Sequence, residues 1–305
     1  MNDITKKLID IVTGTTEPFK GAYSIRENGV SIACVSSENI RMEKLEGGKG
    51  LAIYVSPNTK GEKVYIPACI TKGNVTDKVY NDFYIGENCD VTVVAGCGVH
   101  SEDHEKSIHN GIHRFFIGEN AKVVYEEQHV GTGKEESEKE ISPVTEIFMK
   151  KNSYLEMNAT QLKGVNYSSR KTTAELDEGA KLIVKERLLT VGEEYAESFY
   201  KCSLNGEGSS VNLISRSVAE ENSVQKYFSE MLGNAPCSGH SECDAIIMGN
   251  AQISATPALY ANNTDAALVH EAAIGKIAGE QIDKLKTLGL TAAEAEAVII
   301  EGFLK

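Results

Sequence analysis

Apolar and polar positions alternate with a period of two along most of the chain, in short runs separated by turns that carry glycine or asparagine. Phe83-Tyr-Ile-Gly-Glu-Asn-Cys-Asp-Val-Thr-Val-Val94 is answered by Phe115-Phe-Ile-Gly-Glu-Asn-Ala-Lys-Val-Val-Tyr125. Looser copies begin at Glu146, Ala174, Ser203 and Ile246. A repeat of about 27 to 32 residues made of alternating strands and tight turns predicts stacked β coils, each rung satisfying the backbone of the next and burying its inward side chains. The expected fold is a mainly β solenoid. Alternation alone leaves a jelly-roll sandwich open, and Asn110-Gly111 reads as a hairpin-like turn in either architecture.

The ends break this pattern. Residues 3–13 read as an amphipathic helix with Ile4, Leu8, Ile11 and Val12 on one face. From Asp265 the strand pattern gives way to Ile274, Ile277, Ile282, Leu285 and Leu288 at helical steps. Thr291-Ala-Ala-Glu294 is a capping box, opening a helix with Ala295, Val298, Ile299 and Phe303 on one face, separated from the preceding one at Gly289. Gly131–Glu140 is highly charged, has no apolar period and reads as a mobile loop. The expected division is an N-terminal helical segment at 1–30, a β-helix core at 31–258 and a C-terminal helical region at 259–305.

Composition narrows the function. There are 31 Lys and Arg against 44 Asp and Glu, a net charge of −13, which argues against a nucleic-acid-binding surface. No apolar run approaches the ~20 residues of a membrane span, and the first residues lack the apolar segment of a secretion signal, so a cytoplasmic setting is expected. The seven cysteines are odd in number, scattered and without a C-x-x-C pair, which suits reduced thiols rather than a disulfide framework or a closed zinc site.

Four groups of residues carry candidate chemistry. In an extended His240-Ser-Glu-Cys-Asp-Ala245, Cys243 shares a face with Ser241 and Ala245 while Glu242 and Asp244 point away; alone, it reads as a small buried thiol. His270 and Glu271 adjoin at the entrance to the expected C-terminal helices, where neighbours diverge by ~100°. His100, His104, His109 and His113, with His129 beyond, form a histidine-rich stretch that could hold a metal, although the glycines and acidic residues around His100 suggest a loop. Cys202 heads the turn-like Leu204-Asn-Gly-Glu-Gly. Glu119, Glu126, Glu127 and the 135–140 run read as solvated charge. No Gly-x-Ser-x-Gly, P-loop or Gly-x-Gly-x-x-Gly motif is present, so the chain offers no motif for acyl transfer, ATP hydrolysis or dinucleotide binding.

His240-Ser-Glu-Cys-Asp-Ala-Ile-Ile247, Leu268-Val-His-Glu-Ala-Ala-Ile-Gly-Lys-Ile277, His109-Asn-Gly-Ile-His-Arg-Phe115, Ser215-Arg-Ser-Val-Ala219 and the C-terminal Gly289-Leu…Ile300-Glu-Gly-Phe303 resemble the SufB/SufD proteins. The resemblance runs from about residue 80 to the C-terminus and is densest after 200. It implies an iron–sulfur cluster assembly scaffold rather than an enzyme, with a right-handed parallel β-helix core and C-terminal helices that dock a SufC-type ABC ATPase. It also implies pairing as a homodimer or with a SufB/SufD-type paralogue, and contact with a sulfur donor and acceptor apoproteins. By the same resemblance Cys243 matches the cysteine of cluster assembly, Glu271 the glutamate of the His-Glu-Ala motif, His270 the histidine implicated in SufD, and Cys202 a sulfur-accepting cysteine. A mixture of one soft thiolate with carboxylate or imidazole suits a cluster that must later be released. The expected cofactor is a transient cluster, with no nucleotide bound by this chain. A structural SufD-like partner that holds no iron is the alternative within the family; a β-solenoid polysaccharide hydrolase, which needs paired carboxylates on a groove, is the alternative outside it.

Overall fold

The computed structural model describes residues 1–15, 19–102, 105–134 and 137–305. Strands from successive repeats alternate between two long sheets, in which neighbours are parallel and one repeat apart in sequence. Val91, Val123, Leu155, Leu182, Val211, Gly239 and Leu268 follow one another in register across the first sheet. This is the expected β-solenoid, and its lumen is the core. The repeated Phe-aromatic-Ile-Gly-Glu-Asn motif has a direct structural reading. Its first aromatic points inward, so Phe83 and Phe115 stack with ring centres 4.4 Å apart. Its second points outward, where Tyr84, Phe116 and Phe148 form a ladder spaced at 5.0 and 5.2 Å. The motif's asparagines, Asn88 and Asn120, take φ of 56° in the turn, a left-handed conformation that asparagine tolerates well.

The N-terminal end is closed. Ala22–Glu27 pairs antiparallel with Val30–Val35, and Ile40–Lys44 with Gly50–Val55, so the first rung does not present a bare parallel edge. Helix α1 (Asp3–Thr13) covers strands Lys60–Ile70 and Asp90–Ser101. It buries Thr5, Leu8, Ile9 and Val12, while Ile4 and Ile11 stay exposed, a rotation from the expected face. Close approach explains it: a Cβ at Gly96 or Gly98 would stand 2.8 Å from Val12 or 2.9 Å from Leu8.

Other local expectations change. Asn110-Gly111 lies in the middle of strand Ser107–Ile117, with Gly111 making room for the His113 ring. Gly131–Gly133 and Lys139–Glu140 belong to strands and Lys139 is buried; only 135–136 of the expected loop lie outside the described residues. Gly131 is fixed by contact rather than by a turn: a Cβ there would lie 1.6 Å from the Gly164 carbonyl oxygen. Gly131→Ala is therefore expected to destabilise the chain by about 3 kcal/mol, the upper range for overpacking; an unchanged urea midpoint would contradict that contact.

The C-terminal end is open. Among the described residues Gln252–Ala261 pairs only with Val224–Gly233, and Ala266–Gly275 only with Cys237–Ile247. Helices α2 (Gly279–Lys286) and α3 (Ala292–Phe303) follow, separated around Gly289, and α3 has the expected Thr291–Glu294 capping box. Of the expected apolar face of α3 only Ala295 is buried, and Val298 is 49% exposed. Among the described residues no helix is long and apolar enough to cross a membrane.

Candidate functional site

The strand pattern continues past Asp265 to Gly275, so His270 and Glu271 stand on a strand and not on a helix. The physical reason is rung pairing: every residue from Ala266 to Gly275 finds a register partner on Cys237–Ile246, which a helix could not supply. Alternation then separates the two neighbours. His270 lies over Ser241 on the lumen side, Glu271 over Glu242 on the outer side, and Ala272 over Cys243. Cys243 shares the lumen face with Ser241 and Ala245, as its sequence pattern requires. The structure thus brings Cys243 and His270 to the same side of adjacent rungs and places Glu271 on the opposite side.

The mouth of the lumen is apolar. In register, Ile253, Ala255, Pro257 and Leu259 continue the inward columns of Gln225, Tyr227, Ser229 and Met231. On the facing strand stand Ala266, Leu268, His270, Ala272 and Ile274, with His270 the only polar side chain among them. Leu259 and Ile274 are 39% and 43% exposed. The His270 Nδ1 atom is buried with no partner among the described residues. Burial and the nearby His240 lower the His270 pKa against a hydrogen bond to the Ser241 backbone that raises it, and the net shift favours the neutral ring. One rung further in, Cys243 is 1% exposed. Burial pushes its thiol up to about 12, and the Glu186 carboxylate acts in the same direction. On the outer face, Glu271 lies 3.7 Å from Nε2 of His240, whose Nδ1 is 3.1 Å from Asn212.

Cys202 lies inside strand Tyr195–Leu204, on the second sheet, and not at the head of a turn. It is stacked between Ala174 and Met231 and fully buried, and burial raises its thiol to about 12.

His100, His109 and His113 stand on strands and not in a loop. His100 lies on Asp90–Ser101, with its ring 3.0 Å from Thr132 and 3.2 Å from Glu102. His109 and His113 point into the lumen from Ser107–Ile117; His104 lies outside the described residues. His109 is 3.3 Å from Asp77 and His113 is 2.7 Å from the Tyr125 hydroxyl. Among the described residues no group of three or more His, Cys, Asp or Glu side chains converges as a metal site.

His109 and His113 belong instead, with His129, to a buried polar network whose main members the sequence reading missed. Glu127, expected to be solvated, is 4% exposed; it accepts from Arg170 at 2.5 Å and from Tyr125 at 2.9 Å and stands 3.4 Å from His129. The available signal was alternation: Val123, Tyr125, Glu127 and His129 share one face. Glu186 extends the network, accepting from Ser198 at 2.5 Å, Tyr200 at 2.9 Å and Ser215 at 2.8 Å. Burial opposes the charge on Glu127, yet Arg170 and His129 hold its carboxyl well below the usual range.

The network makes stability pH-dependent. Burial drops His113 to about 4 and lowers His129, against an ordinary value of 6.5. Glu127, His109, His129 and Arg170 face His113, with Asn81 and Tyr125 in hydrogen-bond reach. Because the unfolded chain takes up these protons first, stability is complete above the ordinary histidine value and falls as pH drops from there toward 4. Urea midpoints are expected to fall between pH 7.5 and 5, and His113→Asn to flatten that slope; equal slopes would show that His113 does not carry it.

The SUF system FeS cluster assembly SufBD core domain matches residues 79–303. An iron–sulfur cluster assembly SufBD family protein of Archaeoglobus fulgidus is 29% identical over 271 residues, covering 88% of this chain and 71% of that protein. One from Methanocaldococcus jannaschii is 27% identical over 295 residues, covering 93% and 90%. The match to one from Methanothermobacter thermautotrophicus, 26% identical over 268 residues, covers 86% of this chain and 64% of the relative's length.

Proposed function

The chain belongs to the SufBD family of iron–sulfur cluster assembly proteins, and from that membership we propose that it is a scaffold subunit that builds a labile cluster where two subunits meet at the open end of the solenoid. The observation that carries this reading is the contrast between the ends: the N-terminal rung is capped, whereas the last rung is apolar, has no further strand on it among the described residues and turns His270 to the same lumen face as Cys243. An open parallel edge needs a partner strand. Ala266–Gly275 suits that role, being free of proline, while Pro257 removes a donor from the middle of the neighbouring end strand.

Around His270 one chain brings one imidazole and the Cys243 thiol, with Cys237 further along the same strand, too few ligands at one point for a cluster. A second copy, or a SufB/SufD-type paralogue, meeting it about a two-fold axis doubles the set. The Cys243 thiolate supplies a soft ligand and His270 a weaker one, a mixture that holds iron and sulfide yet permits release to acceptor apoproteins. Glu271, on the outer face, reaches the cluster only from the partner's side or after the last strand shifts. Cys202, sealed among apolar side chains, serves as a sulfur acceptor only if the lumen admits sulfur from a donor. Cys243 is itself covered by Ala272, so ligation requires the last rung to move. This chain has no nucleotide motif to drive that movement. A SufC-type ATPase docked on α2 and α3, whose side chains are almost wholly unburied, would supply it.

The test couples pairing to cluster. Leu268→Arg places a charge in the mouth without touching a ligand. It is expected to give a folded monomer that loses the cluster after anaerobic supply of iron and sulfide. A monomer with full iron and sulfide content would refute the interface reading. The burial of Cys243 beneath Ala272, with Glu271 turned away, favours a second reading: a SufD-like subunit whose partner holds the iron. In that case the paired wild-type chain takes up no cluster alone.

A further inference from the structure

Glu127, Ala159, Glu186, Ser215, Cys243 and Ala272 succeed one another along a single inward column. Ser215 is therefore the polar group one rung, ~4.8 Å, beneath Cys243, and a serine hydroxyl has one proton to give. It gives it away from the sulfur, to Glu186 at 2.8 Å. Glu186 is held in place to receive it, since its other oxygen accepts from Ser198 and Tyr200 and lies 3.8 Å from Arg170 Nε. Cys243, correspondingly, has no hydrogen-bond partner among the described residues.

We infer that Glu186 is a positioning residue for Cys243, holding the Ser215 hydroxyl turned away so that the sulfur keeps its lone pairs free for iron. The inference rests on the reading of Cys243 as a ligand. A hydroxyl donated to a ligating sulfur withdraws electron density from it, weakens its bond to iron and shifts the cluster potential upward. Replacing Glu186 by Gln reverses the local order: the amide carbonyl still accepts from Ser198 and Tyr200, but the amide nitrogen donates to Ser215 and frees the serine proton for Cys243.

The S–H stretching band of Cys243, isolated by subtracting the Cys243→Ala spectrum, reads this without any cluster. Ser215→Ala is expected to leave the band where it is in the wild type. Glu186→Gln is expected to move it, and Glu186→Gln with Ser215→Ala to return it. A band that moves in Ser215→Ala alone, or stays fixed in folded Glu186→Gln, overturns the inference. In the reconstituted protein Glu186→Gln is expected to raise the cluster potential, with the double variant restoring it; a potential indifferent to Glu186→Gln also counts against the inference. A cluster that survives Cys243→Ala brings down the ligand reading, while the band pattern still decides the hydrogen bond.

Discussion

Cys243→Ala is expected to abolish the visible absorption and the bound iron and sulfide that the wild-type chain acquires when both are supplied without oxygen. Two cysteines, Cys237 and Cys243, stand one rung from the open mouth on the side where His270 stands, and Cys243 is the nearer along the strand to Ser241, the register partner of His270. Cys69 lies under α1 against the Thr5 carbonyl, Cys89 packs at a turn against the Ser56 carbonyl, and Cys202 is stacked between Ala174 and Met231. A cluster held by few protein ligands per subunit does not survive loss of its soft ligand. The ranking of the other variants follows from geometry. His270→Ala, losing a ligand on the same side, is expected to shorten the lifetime of the cluster. Glu271→Ala, on the outer face, is expected to act more weakly in the unpaired chain and more strongly after pairing. Cys202→Ala is expected to leave chemical reconstitution intact, because free sulfide bypasses any sulfur-accepting role. Full cluster content in Cys243→Ala would refute the assignment and turn attention to the remaining thiols.

Arg170→Ala is expected to cost about 3–5 kcal/mol of stability, the range for breaking a buried ion pair from one side. Arg170 is 5% exposed and bridges Glu127, at 2.5 Å, to Glu186, at 3.8 Å. Without it two carboxylates face each other's field inside the lumen, with only His129 and hydroxyl donors to hold them. The loss should be smaller when the facing charge is removed as well, so Arg170→Met with Glu127→Gln is expected to recover much of it. Urea unfolding of the wild type, Arg170→Met, Glu127→Gln and the double variant measures this as a double-mutant cycle. Equal and additive losses would show that the pair contributes packing rather than charge compensation.

The solenoid was legible because its signal is local and repeated. Period-two alternation, a 32-residue recurrence of Phe-aromatic-Ile-Gly-Glu-Asn and a capping box at Thr291 each need only neighbouring residues to be read. The facing of Cys243 with Ser241 and Ala245 followed from the same alternation. Where the sequence misled, a contact between rungs had overridden the local pattern. Asn110-Gly111 resembles a turn, but pairing with Lys78-Val79 holds it extended, and the absent Cβ of Gly111 accommodates His113. Ala266–Gly275 resembles a helix entrance, but Cys237–Ile247 offers it a complete ladder, and that choice alone puts His270 inward and Glu271 outward. Glu127 looks solvated beside Glu126 until Arg170, 43 residues away, is brought to within 2.5 Å of it. The sequence by itself determined the repeat, its rung chemistry and the kind of side chain each rung turns inward. Only the tertiary structure decided which end of the stack lies open and which buried charges meet across the lumen, because both depend on partners one or more rungs away that no local pattern encodes.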